Sequence, residues 1–145
     1  MKKKVISLLI CILMIAVHTS NVFASEATPY ALPGGNVITP QWNYISKINP
    51  SLTVDDSGIA TVYCSVTGKL GTTTRVEITA ELQRYVSGRW VTIKTFTADS
   101  NSYRVTLSET YSLTAGYSYR VQATVTAYSG SAVESDVVTS GTVSY

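Results

Sequence analysis

The side chains able to do chemistry are few and poorly matched to one another. The 145 residues contain two cysteines, Cys11 and Cys64, and one histidine, His18. Cys11 and His18 fall within residues 1–24, a stretch that reads as an export signal. Lys2-Lys3-Lys4 is its basic start, Val5 to Val17 is a nearly unbroken apolar run, and Val22-Phe23-Ala24 is the cleavage site. The apolar run is shorter than the ~20 residues a membrane span needs. Leu9-Ile10 before Cys11 also lacks the small residues of a lipoprotein cleavage box. Cleavage after Ala24 removes Cys11 and His18, leaving Cys64 as the only thiol in a chain with no histidine. One such chain can build neither a disulfide framework nor a Cys/His zinc site. Histidine-based hydrolysis is equally out of reach.

Cys64 alternates with Ala60, Val62 and Val66, a pattern that points the thiol into a core as a small, inert hydrophobe. Glu77, Glu81, Glu109, Glu134 and Asp136 could in principle provide the paired carboxylates of a glycosidase. Glu77 and Glu81, however, share the outward face of a strand, where solvated, salt-bridged carboxylates are the ordinary outcome. Asp55-Asp56-Ser57-Gly58 and Asp99-Ser100-Asn101 are oxygen-rich, but neither continues into a twelve-residue calcium loop, and Asx turns account for both. Gly34-Gly35 and Gly68-Lys69-Leu70-Gly71 do not form a phosphate loop with a following helix. The expectation is a protein that is not an enzyme, with no catalytic residue, metal ligand or cofactor.

The surplus is aromatic: ten Tyr and two Trp against two Phe. Tyr85, Trp90 and Phe96 are expected on the outer face of a hairpin, with Tyr128 facing outward on a later strand. Together they form the candidate binding face, suited to sugar stacking or protein contact. Against this stands a plainer reading in which Tyr85 and Trp90 merely staple each other, or the preceding leader covers them. Trp42 reads as a plug at one end of the fold.

The elements that would position these groups are strands. Residues 25–40, with Pro29, Pro33, Pro40 and Gly34-Gly35, read as a flexible leader. Residues 41–145 read as one domain in which alternation and turn punctuation repeat to the end. The first strand spans Trp42 to Ile48, with a continuation from Ser51 to Val54. The second runs from Ile59 to Thr67, with Ala60, Val62, Cys64 and Val66 on one face. The third is Thr74 to Val86, carrying Val76, Ile78, Ala80 and Leu82 inward. The fourth is Arg89 to Thr97, and the fifth is Tyr103 to Leu107. The sixth is Tyr117 to Tyr128, and a last strand lies within Val133 to Val143. Short, half-buried strands at this spacing predict an all-β, antiparallel β-sandwich of six or seven strands.

The third and fourth strands can be set in register around a Ser87-Gly88 turn. Leu82 then faces Ile93 inside, while Glu81 faces Lys94, Tyr85 faces Trp90 and Thr79 faces Phe96 outside.

Leu113-Thr114-Ala115-Gly116-Tyr117-Ser118-Tyr119 resembles the tyrosine corner of fibronectin type III and immunoglobulin-like sandwiches. In that motif a tyrosine entering the sixth strand bonds back to nearby backbone. The position two residues later, a cysteine in immunoglobulin domains, is Val121 here, and Cys64 occupies the place of the other cysteine. The resemblance therefore implies a sandwich without the inter-sheet disulfide. A second likeness rests on Tyr30-Ala31-Leu32-Pro33, Pro40-Gln41-Trp42-Asn43-Tyr44-Ile45-Ser46-Lys47-Ile48, Leu82-Gln83-Arg84-Tyr85, Gly88-Arg89-Trp90 and Gly116-Tyr117-Ser118-Tyr119-Arg120-Val121. These runs are similar to a family of small secreted proteins of unknown function from clostridia-like Gram-positive bacteria. That likeness implies provenance and export, and no activity.

Charge narrows the partners. Losing Lys2, Lys3 and Lys4 lowers Lys+Arg from 11 to 8 against 9 Asp+Glu, so the remaining 121 residues carry about −1. This removes the electrostatic case for nucleic acid or an anionic membrane. The sequence expects a secreted, extracellular, non-catalytic module that binds an unidentified protein or glycan and does not insert in a membrane. Two alternatives stay open. One is an antagonistic, bacteriocin- or toxin-like protein, although the chain lacks the usual basic or membrane-active helix. The other is a structural or self-assembling matrix protein, which low charge and exposed sheet edges would permit.

Overall fold

The structure, a computed structural model, describes residues 41–145. The expected signal (1–24) and leader (25–40) lie outside the described residues. Every regular element among the described residues is a strand: β1 (Ile45–Val54), β2 (Ile59–Gly68), β3 (Arg75–Val86), β4 (Arg89–Ser100), β5 (Arg104–Ser112), β6 (Ser118–Ser129), β7 (Ala132–Thr139) and β8 (Val143–Ser144). All pair antiparallel, in two sheets ordered β1-β2-β5 and β4-β3-β6-β7, with the short β8 also on β6. This is an immunoglobulin/fibronectin III-like sandwich, with one short strand more than the six or seven expected.

Alternation builds the core. Ala60, Val62, Cys64 and Val66 of β2 meet Val76, Ile78, Ala80 and Leu82 of β3 and Val121, Ala123, Val125 and Ala127 of β6, all at most 1% exposed. A period of two lets each strand bury one face and solvate the other. Cys64 thus lies in the same buried cluster as Val121, and burial pushes its thiol up to about 11. A thiol held protonated inside a sealed core is a poor nucleophile.

The tyrosine corner forms. The Tyr119 hydroxyl donates to the Thr114 carbonyl at 2.6 Å and accepts the Thr114 N–H at 3.2 Å, while the ring is fully buried. The N–H and carbonyl of Thr114 are both engaged by one side chain, and this pins the loop that leads into β6.

Several strand limits differ from expectation. β1 begins at Ile45, beyond Trp42, and runs without a break through Pro50. Proline is tolerated there because β1 is an edge strand, where one side of the backbone has no ladder partner. β4 continues through Ala98-Asp99-Ser100 and β5 extends to Ser112. Polar residues there cover solvated sheet faces, which sequence patterning cannot distinguish from a turn.

Residues 42–45 are tied down by carboxylates of β7. Glu134 Oε1 accepts the Asn43 N–H at 2.6 Å, and its Oε2 accepts the N–H groups of Tyr44 and Ile45, each at 2.8 Å. Asp136 Oδ2 accepts the Trp42 indole N–H at 2.8 Å, and Lys69 Nζ donates to the Trp42 carbonyl. Partial desolvation raises the Glu134 pKa, but the three backbone donors and nearby Lys69 outweigh it and hold the carboxyl below its ordinary range.

The four lateral edges are not alike. β1 carries Pro50 and a register shift between Ile45 and Lys47, and β4 carries a bulge and inward-turned Lys94. β5 turns Glu109 toward the inner side, opposite Val62. Such devices obstruct strand addition. β7 has regular pairing and exposes Val133 and Val137 at 55% and 52%.

Candidate functional site

The β3–β4 hairpin positions the expected site, and its turn has the geometry the register requires. Ser87 and Gly88 both take positive φ, 51° and 84°, the signature of a two-residue type I′ turn whose twist matches the strands. From that turn the pairs are Val86↔Arg89, Tyr85↔Trp90, Arg84↔Val91 and Gln83↔Thr92. The expected Tyr85–Trp90 pair is therefore present. Beyond it a bulge intervenes, and the next pair is Leu82↔Lys94, leaving Ile93 as the extra residue.

The bulge overturns the rest of the expected register. Glu81 lies opposite Thr95, not Lys94, and Thr79 lies opposite Thr97, not Phe96. Phe96 pairs with the fully buried Ala80 and packs against the core, so it belongs to the inner side and leaves the candidate face. The physical reason is parity. One inserted residue moves every later side chain of β4 to the opposite face.

Tyr85 and Trp90 stand together on the outer face of the β4-β3-β6-β7 sheet. Their ring centroids are 5.1 Å apart and the planes are tilted by 57°. Trp90 is half-buried, while Tyr85 is 45% exposed. The second ring face of this pair is not bare. Arg120, from β6, lays its guanidinium 4.4 Å from the Trp90 ring centroid, close enough for a cation–π contact.

Beneath these groups Gln83 acts as a hub. Its Oε1 accepts the Arg120 Nε–H at 2.9 Å, and its Nε2 donates to Gln122 Oε1 at 3.2 Å and Glu81 Oε2 at 3.3 Å. Gln83 is 6% exposed although it lies on the outer face. An amide with its oxygen and nitrogen both engaged holds its neighbours in one arrangement. Arg120, Gln83 and Gln122 were not singled out from sequence. The outward parity of Arg120 and Gln122 was legible in β6, but the pairing of β3 with β6 joins segments nearly forty positions apart.

Tyr128 faces outward as expected, yet it does not join this cluster. It pairs with Arg75, ten positions before Tyr85, or roughly 33 Å along β3 at about 3.3 Å per residue. There its hydroxyl donates to Glu77 Oε2 at 2.8 Å, and the Arg75 guanidinium lies 5.3 Å from its ring centroid while ion-paired with Glu77. That hydrogen bond, then burial, raises the Tyr128 pKa. Of the four candidate residues, only Tyr85 and Trp90 are neighbours.

The carboxylates weighed for glycosidase chemistry are spread over β3, β5 and β7, with Glu134 and Asp136 two residues apart on β7. Glu77 is held by Arg75 and Tyr128, Glu81 accepts from Gln83, and Glu134 and Asp136 bind the segment before β1. Glu109 is exposed on β5. Asp55 forms the expected Asx turn, its Oδ1 accepting the Ser57 hydroxyl at 2.7 Å and the Ser57 and Ile59 N–H groups at 2.9 Å. The Ser57 hydroxyl, then the backbone donors, lower its pKa. Searches against protein-family models and curated proteins returned no match for this chain.

Proposed function

We propose that this protein is an exported, non-catalytic β-sandwich module that binds a glycan outside the cell through the outer face of its four-stranded sheet. The observation that carries the reading is the Tyr85–Trp90 pair, with Tyr85 45% exposed beside planar polar groups fixed by Gln83. Sugar recognition uses this combination: a ring face for the apolar side of a pyranose, and amide and guanidinium groups for its hydroxyls. The export half rests on the signal-like residues 1–24.

A glycan array with the purified protein, followed by titration of the strongest hit, tests the reading. Tyr85→Ala should weaken that hit about tenfold, the equivalent of ~1.4 kcal/mol. Thr110→Ala, on the exposed face of the other sheet, should leave it unchanged. Equal binding by protein and Tyr85→Ala would overturn the proposal.

A second reading, self-assembly into a matrix, has one specific observation in its favour. The β7 edge combines regular pairing with exposed Val133 and Val137. Concentration-dependent oligomers abolished by Val137→Lys would favour it.

A further inference from the structure

The β3–β4 hairpin has a second face, turned away from Tyr85 and Trp90. On it Arg89 pairs with Val86, Arg84 with Val91, and Lys94 with Leu82, in three successive same-side rows. Same-side rows are two residues apart, so the cations repeat at about 6.6 Å along the hairpin. Arg84 lays its guanidinium 4.5 Å from the Tyr117 ring centroid, and Lys94 Nζ lies 5.7 Å from that of Phe96. Val91 and Tyr117 are exposed beside them, at 41% and 37%. Among the described residues none of the three cations forms an ion pair, since both ion pairs present belong to Arg75. The carboxylate of the facing strand, Glu109, pairs with none of them.

Edge protection explains Lys94 and the bulge beside it, but not Arg84. Arg84 lies on β3, which is paired on both sides, and so guards no edge. Its Nε is buried without a hydrogen-bond partner. The Nε of the ion-paired Arg75 is buried in the same way, so the donors Arg84 can offer a ligand are its terminal guanidinium nitrogens, whose planar geometry suits a carboxylate or phosphate.

We infer that this ledge binds a linear anionic glycan, its carboxylate or phosphate groups meeting Arg89, Arg84 and Lys94 in turn while a sugar ring rests on Tyr117 and Val91. An acidic peptide is the less suited occupant. A peptide gains affinity by adding a strand to an edge, and the bulge with its inward lysine obstructs β4 for that purpose. The site is separate from the Tyr85–Trp90 face and does not depend on that proposal.

The test titrates the purified protein with polygalacturonate, dextran, a phosphodiester-linked polysaccharide and poly-glutamate at several salt concentrations. Binding to one or both anionic polysaccharides is expected, and which of them binds distinguishes carboxylate from phosphate. Affinity should fall with salt, and the log–log slope should shrink by roughly one for each cation removed. Arg89→Gln and Lys94→Gln should each weaken binding three- to tenfold, whereas Lys47→Gln, the same charge change on β1, should not. Arg89 and Lys94 are exposed, so these variants should fold even if Arg84→Gln does not. Poly-glutamate binding as tight as the polysaccharides would overturn the glycan assignment. Anionic-polysaccharide binding no tighter than that of dextran and unaffected by Arg89→Gln would overturn the anionic site while leaving the Tyr85–Trp90 reading intact. Binding to no polymer would overturn this inference outright.

Discussion

Glu134→Gln tests how the segment before β1 is held. In the protein one carboxylate accepts three backbone N–H groups at 2.6, 2.8 and 2.8 Å. A hydrogen bond to a charged group contributes about 1.5–3 kcal/mol where it is buried. Glu134 is only partly covered, so solvent screening reduces that figure. Glutamine retains one acceptor oxygen for a share of the donors but loses the charge. The net expectation is a loss of about 1–2 kcal/mol, or roughly 5–10 °C in Tm for a domain of this size.

The pH dependence follows from the direction of the shift. The folded-state pKa of Glu134 is depressed below the ordinary 4.5. Its contribution is therefore fully present above that value and is lost as pH falls through the lower, folded-state one. Urea denaturation of both proteins, followed from pH 7 down to pH ~2, should show a stability gap that closes in acid. Asp55, which also titrates there, is common to both and cancels in the difference. A gap below ~0.5 kcal/mol at neutral pH, or one that persists unchanged in acid, would refute the reasoning.

Four other outcomes are expected. Tyr119→Phe removes both bonds to Thr114 and should cost about 1–3 kcal/mol by chemical denaturation, without changing the far-ultraviolet spectrum. Gly58→Ala should cost about 1–2 kcal/mol. Gly58 has φ +82°, so backbone strain sets the cost, while the Tyr145 ring tip, 2.5 Å from an added Cβ, must swing aside. Ser87→Asn should stabilise by about 0.5–1 kcal/mol, since asparagine tolerates the positive φ of the type I′ turn better than serine does. Cys64 should resist a thiol reagent in the native state and react only at the unfolding rate, because it is fully buried with its pKa pushed up to about 11.

The legible part of this protein is the part written in alternation. The inward sets of β2, β3 and β6 could be read because each strand buries a single face, and hydrophobicity along the chain reports that face directly. Tyr85 opposite Trp90 was legible for the same reason, with a two-residue turn to anchor the count. The reading failed at Ile93, where one unpaired residue reverses the parity of all that follows, so that Phe96 passes from the candidate face to the core side. Nothing in Thr92-Ile93-Lys94 marks a bulge locally, because a bulge is decided by which neighbours the two strands must meet. Tyr128 had the right face and the wrong place, since position along a sheet follows from pairing with a remote strand.

Two kinds of information separate here. Sequence alone determined the fold class, the inert place of Cys64, the Asx turn at Asp55 and the tyrosine corner, all products of local patterning or short-range geometry. Tertiary structure decided what lies beside what. It brought Arg120 of β6 over Trp90 of β4, used Glu134 and Asp136 to hold residues 42–45, and left Arg84 without a carboxylate. Those outcomes depend on strand order and register, which are set by the summed burial of two whole sheets and not by any single segment.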